Sequence, residues 1–227
     1  MRRPFEVRFV ETAYLRHGLF ALELLDAVTL SRVAQGITVR ADGLAAEKPT
    51  VNAGGVFVWL EEDIAALRRI TIDPGVLPYE PVAIEAADVR RPLTTVELPP
   101  RADYPFAPGI TGLRGRLIES RVPTPVPVPD AEMRMRWLDE DAVTWRDAPT
   151  TSPTGVRGDF VVVLRLARGQ VPRLAADALT VRVRARRSGL NERGSGDLTL
   201  PQGRVADPST FAQGPNALIF AWDELQP

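Results

Sequence analysis

The 227-residue chain contains no cysteine. Disulfide frameworks, thiolate zinc sites and cysteine nucleophiles are therefore excluded. Histidine occurs once, as His17, which rules out a multi-histidine metal centre and leaves a Ser-His-Asp triad a single base to draw on. No nucleophile-elbow sequence accompanies it, and within Tyr14 to Gly18 it reads as a turn or surface residue. Lysine is equally scarce: Lys48 stands alone among 28 basic residues and the rest are arginine, the usage of a GC-rich genome. No apolar run approaches the ~20 residues that span a bilayer. The first residues, MRRPFEVRFVETAYLRHG, open on two arginines, but Glu6, Arg8 and Glu11 interrupt the apolar stretch a signal peptide needs. A cytoplasmic protein, or part of a particle assembled in the cytoplasm, is predicted. Neither G-x-x-x-x-G-K-[ST] nor G-x-G-x-x-G ahead of a helical pattern occurs, and zinc-finger spacing and aromatic-interleaved RNA motifs are missing. These absences predict no cofactor, no nucleic-acid partner and no enzymatic activity.

The formal net charge is −1, with 44% apolar and 25% charged residues. Such a balance fits a globular chain and supplies no global field toward nucleic acid or an anionic membrane. The length suits one large domain or two of about 100 residues. Apolar and polar residues alternate with period two in Phe5 to Val10, Leu22 to Leu24, Ile37 to Arg40, Met133 to Trp137 and Leu179 to Ala185. That is the pattern of strands with one buried and one wet face. Proline and glycine, 21 and 17 of them, punctuate the strands at turn-like intervals. One stretch, Glu61 to Ile70, has acids first, arginines last and Ile64 and Leu67 on one side. It is either a two-turn helix or a crossover loop.

Five prolines crowd residues 87–112, a stretch that also allows a strand through Thr94 to Leu98. The predicted organisation is a first β-sandwich over 1–90, a proline-rich linker over 91–112 and a second β-sandwich over 113–227. An internal repeat supports the cut. Strands near Leu19 to Leu25, Gly36 to Ala41 and Arg69 to Asp73 recur in order as Leu113 to Ile118, Ala131 to Leu138 and Leu179 to Ala185. In each half a Gly-x-Phe, Gly55 to Phe57 and Gly158 to Phe160, opens an apolar run. A turn entering a strand often needs positive φ, which glycine adopts without steric penalty. The glycines are thus read as structural.

These residues carry a family resemblance. Pro127-Val128-Pro129-Asp130-Ala131 followed by Gly158-x-Phe160, and in the first half Ser31 to Val39 followed by Gly55-x-Phe57, are similar to the G-x-P-V-x-x-A-x-V and T-D-x-x-G-x-F elements of carboxypeptidase regulatory-like domains. The first half lacks the Thr-Asp. The resemblance implies two diverged copies of a transthyretin-like Greek-key sandwich. It also implies an accessory module that packs on partners.

Three surfaces stand out as candidates. Arg134 and Arg136 alternate with Met133, Met135 and Trp137, while Arg182, Arg184 and Arg186 alternate with Val181, Val183 and Ala185. They are predicted to present either a basic face for an acidic partner or an ordinary sheet face balanced by neighbouring acids. The C-terminal run Asn216 to Asp223, with Phe220 and Trp222, is predicted as a docking strand. Two acidic clusters, Glu61-Glu62-Asp63 and Asp139-Glu140-Asp141, lack the spacing of a calcium loop and read as solvated turns. The expected role is a structural or adaptor subunit of a larger bacterial assembly with other protein subunits as homo- or hetero-oligomeric partners, by analogy a phage-tail-like contractile particle. The alternative is a carbohydrate- or small-ligand-binding sandwich using Trp137 and Trp145.

Overall fold

A computed structural model describes residues 20–60, 64–209, 211 and 213–227. Among the described residues the first half forms β1 (Phe20–Asp26), β2 (Thr38–Asp42), β3 (Thr50–Val51), β4 (Phe57–Trp59), β5 (Arg69–Asp73), β6 (Val82–Glu85) and β7 (Leu93–Leu98). The second half adds β8 (Thr111–Ile118), β9 (Glu132–Leu138), β10 (Trp145–Pro153), β11 (Asp159–Leu164), β12 (Leu174–Ala175) and β13 (Ala178–Arg186). It finishes with β14 (Arg193–Gly194), β15 (Leu198–Pro201), β16 (Val205–Ala206) and β17 (Ile219–Ala221). Helix among the described residues is confined to two short 3₁₀ turns, Ala86–Asp88 and Pro215–Leu218. The protein is all-β, and the described part of the Glu61 to Ile70 stretch is a turn that runs directly into β5.

Both halves pair their strands in one order. In the first, β1 lies between β4, antiparallel, and β7, parallel. In the second, β8 lies between β11, antiparallel, and the short parallel strands β16 and β17. The facing sheets agree as well, since β2 pairs with β5 and β5 with β6, while β9 pairs with β13 and β13 with β14 and β15. The halves differ at β3 and its counterpart β10, and at β12, which pairs with β13 and has no counterpart among the described residues of the first half. The two-residue β3 joins the β4 edge, whereas the nine-residue β10 lies on β9.

Alternation in the sequence becomes alternation in burial. Phe20, Leu22 and Leu24 of β1 point inward with Val39, Ala41, Ile70, Ile72, Phe57 and Trp59, and form one core. Phe20 and Trp59 stack at 4.5 Å. Met133, Met135 and Trp137 of β9 meet Val181, Val183, Leu117 and Phe160 in a second, separate core. Each core is large enough to support a domain of this size without cross-links.

The proline-rich stretch 91–112 is mostly not a linker. It contains β7, and it delivers Leu98 and Tyr104 to the first core. Prolines bracket the strand at Pro92 and Pro99, where a missing N–H costs no ladder bond. Four residues, 107–110, remain between Phe106, which packs on the first core, and the start of β8.

The two Gly-x-Phe glycines share a conformation. Gly55 has φ +76° and Gly158 has φ +73°, the left-handed region that side chains disfavour. Each turn drops the following phenylalanine, Phe57 or Phe160, into its own core.

Candidate interaction surfaces

The arginine ladder lies on the outer face of β9 and β13, where strand register sets Arg182 opposite Arg136 and Arg184 opposite Arg134. Like charges placed so would repel, and carboxylates are interleaved to prevent it. Arg182 bonds Asp197 at 2.6 Å, Arg184 bonds Glu192 at 3.1 Å and Arg134 bonds Glu132 at 3.2 Å. Glu132 also accepts from Arg186. Arg136 Nε sits 2.9 Å from Asp147 Oδ1 but off the line of a hydrogen bond, which leaves that N–H without a partner. Four carboxylates thus serve the five guanidinium groups, with Glu132 shared by Arg134 and Arg186. The face is mixed in charge, and its field is not that of a basic patch.

Phe220 and Trp222 correct the expectation of a docking strand. Both are buried in the second core, and β17 spends its backbone on β8 of the same chain. Phe220 packs on Phe160 at 5.7 Å, and Trp222 is flanked by the guanidinium groups of Arg187 and Arg193, each 5.2 Å from its ring. An apolar terminal run looks alike in sequence whether it covers its own core or another chain's.

The tryptophan pair expected for a sugar site is not presented to solvent. Trp137 is fully buried, and its Nε1 has no hydrogen-bond partner. Trp145 is half-buried beneath the Arg182 guanidinium, 4.1 Å from its centroid. Stacking on a sugar ring needs an open aromatic face, which Trp137 does not offer and which Arg182 covers on one side of Trp145.

Asp139-Glu140-Asp141 forms a turn. Asp141 accepts from the amides of Val143 and Thr144 and from the Thr144 hydroxyl, which together hold its carboxyl down to about 2. Asp139 pairs with Arg146. Among the described residues no cluster of acidic or histidine side chains is arranged to hold a metal ion. His17 and Glu61-Glu62-Asp63 lie outside the described residues.

Sequence reading missed a buried polar cluster in the first unit. Asp26 continues the inward row of β1 and is 5% exposed. Its carboxylate accepts from the Val28 and Thr29 amides at 2.7 and 3.2 Å, from the Tyr79 hydroxyl at 3.1 Å and from the Tyr104 hydroxyl. Four donors offset the cost of burying the charge. Burial first, and the carboxylate beside it second, push the Tyr79 hydroxyl up to about 12; burial and the hydrogen bond to Asp26 push Tyr104 the same way.

The two units meet beside this cluster. Residues of both line a cleft of about 530 Å³, with Glu80, Arg101 and Asp103 on one side and Val156, Arg157 and Asp159 on the other. Burial pushes the Glu80 carboxyl above its ordinary range, while Arg101 pulls it down and Asp103 raises it further. Arg101 and Asp103 form an ion pair, as do Arg157 and Asp159, and Asp159 also meets Arg116. The cleft alternates in sign and favours no single ligand charge.

No family model and no curated protein matches the chain. Among solved structures it is similar to a streptococcal ancillary pilin at 10% identity and a TM-score of 0.26, over 83% of this chain. The chain spans 60% of that structure's length. A likeness at this level is too slight to describe a shared fold. No helix among the described residues is long and apolar enough to cross a membrane.

Proposed function

We propose that the chain is a non-enzymatic structural or adaptor subunit that works inside a larger protein assembly. The observation that carries this reading is the use made of the charged side chains. Arg116 with Asp159, Arg121 with Glu224, Arg187 with Glu119 and Arg165 with Glu97 each tie one segment of the chain to another. Side chains committed to such pairs hold a shape, which is what a positioning element needs. The common pairing order of the two halves supports two diverged copies of one transthyretin-like sandwich, the organisation that the sequence motifs imply. Accessory modules of that kind pack on partners.

Other protein subunits are the proposed partners. The ladder of Arg134, Arg136, Arg182, Arg184 and Arg186 is the proposed contact face, because paired charges at a rim set register and specificity more than raw affinity. Phe220 and Trp222 are withdrawn from that face. The test is the mass of the protein isolated from its source under native conditions, by size exclusion with light scattering, with co-eluting chains identified. A multi-component particle is expected, and its other chains would show whether it is a contractile, phage-tail-like one. A clean species at the chain mass of 24.9 kDa would overturn the proposal.

A further inference from the structure

Two arginines of the second unit reach across to the first. Arg165, directly after β11, donates from Nη1 and Nη2 to Glu97 Oε2 and Oε1 at 2.9 and 2.8 Å, and Nη1 also reaches the Ala27 carbonyl at 3.2 Å. Arg114, within β8, donates from Nε to the Ala102 carbonyl and from Nη2 to the Tyr104 carbonyl, both at 2.7 Å. Its guanidinium lies 5.1 Å from the Phe106 ring centroid. The receiving groups all belong to the first unit: Glu97 is on β7, Ala27 follows β1, and Tyr104 is held by Asp26. The connecting residues are fixed as well, since the Gly109 amide donates to the Gly203 carbonyl at 3.0 Å.

A short covalent connection by itself leaves relative domain motion as the default. Here the second unit grips the first from β8, from the end of β11 and through the connection. Separate points of attachment define an orientation, where a single one leaves a swivel. Both side chains are arginines, whose planar fork is pre-organised and binds carboxylate bidentately.

We propose that Arg114 and Arg165 pin the two sandwich units into one body of fixed relative orientation. The pinning belongs to the isolated chain and holds whether or not the chain enters an assembly. The pinned acceptors are carbonyls and a carboxylate at the units' margins, which water can serve when the guanidinium groups are removed. Each unit therefore keeps its fold without the pins.

The absence of cysteine makes the test clean. Val76 in the first unit and Val143 in the second are 94% and 78% exposed, so V76C and V143C carry one nitroxide each for pulsed dipolar distance measurement. A single narrow distance distribution is expected in the otherwise native chain. R114A/R165A should broaden it at least twofold, with circular dichroism unchanged. Should that variant lose its fold, E97Q/R165Q removes the charge pair while keeping a polar side chain at each position, and is expected to broaden the distribution by a smaller amount. A distribution already broad in the native chain, or an unchanged width in a folded variant, overturns the proposal. The measurement uses the chain alone, so its failure is distinct from failure to find an assembly.

Discussion

Asp26 is the residue on which the first unit's polar interior turns. Two tyrosines from distant segments, Tyr79 and Tyr104, converge on its carboxylate, so each hydroxyl ties a later loop to the end of β1. Tyr104→Phe removes a donor from a buried charge and is expected to cost about 1.5–3 kcal/mol. Tyr79→Phe, whose bond is longer at 3.1 Å, should cost about 1 kcal/mol. Urea denaturation of the two variants checks the order, and a larger loss for Tyr79→Phe would contradict this account. The same pair gives the molecule an alkaline limit. Tyr79 is raised from 10.0 to about 12 in the folded chain, and Tyr104 moves in the same direction. A hydroxyl with a raised folded pKa leaves stability whole below its unfolded value and removes it as pH climbs through the folded one. Stability should therefore decline from about pH 10 to about pH 12. Tyr79→Phe should flatten that slope in denaturation series taken across the window, and a slope identical to that of the native chain would refute the assignment.

The Gly-x-Phe turns carry the clearest lesson at the scale of elements. Both glycines have positive φ, but their surroundings differ. A Cβ on Gly158 would lie 2.2 Å from the Leu117 carbonyl oxygen, whereas one on Gly55 would meet the Ala34 side chain at 2.9 Å. A backbone oxygen inside its sheet cannot yield, while a loop side chain can. Gly158→Ala is therefore expected to cost about 3–5 kcal/mol and Gly55→Ala about 1–2 kcal/mol, measured as the difference in chemical denaturation. Equal losses would show that φ alone sets the penalty. These turns were legible in the sequence because their requirement is local, and so were β1, β2, β9 and β13, whose alternation is a property of consecutive residues. Long-range choices were not legible. That Arg182 faces Arg136, or that Arg186 finds Glu132, depends on register between strands far apart in sequence. The same holds for Arg114 and Arg165, which look like unremarked members of an arginine-rich chain until the other unit is placed beside them. Phe220 shows the same limit, because an apolar pattern does not say which core does the burying. Within residues 91–112 the strand through Thr94 to Leu98 was legible, whereas the delivery of Leu98 and Tyr104 to the first core depends on contacts far apart in sequence.

At the scale of the whole molecule, the separation of the two cores sets how it unfolds. No buried residue is shared between them, and the side-chain hydrogen bonds from the second unit to the first come from Arg114 and Arg165. The Arg165–Glu97 side chains are 25% and 36% exposed, so their pair contributes within about 0.2–1 kcal/mol of an exposed ion pair, somewhat more for its bidentate geometry. Each unit is expected to hold about 5–15 kcal/mol of its own. Arg114 adds two charge-assisted hydrogen bonds to first-unit carbonyls, so the coupling is on the order of a few kcal/mol, below the stability of either unit and too little to make unfolding all-or-none. Leu22→Ala tests this, because Leu22 is fully buried in the first core and its truncation should cost about 2–5 kcal/mol. Hydrogen exchange followed by mass spectrometry should show that loss in peptides covering β1, β2 and β5. Peptides covering β9 and β13 should keep their protection to within about 1 kcal/mol, because the weakened first unit stays folded and its side of the junction stays in place. The converse variant, Leu117→Ala in the second core, should reverse the pattern. Equal loss of protection in both halves from either substitution would mean that the polar junction transmits far more energy than its exposure allows, and that the chain unfolds as one cooperative domain.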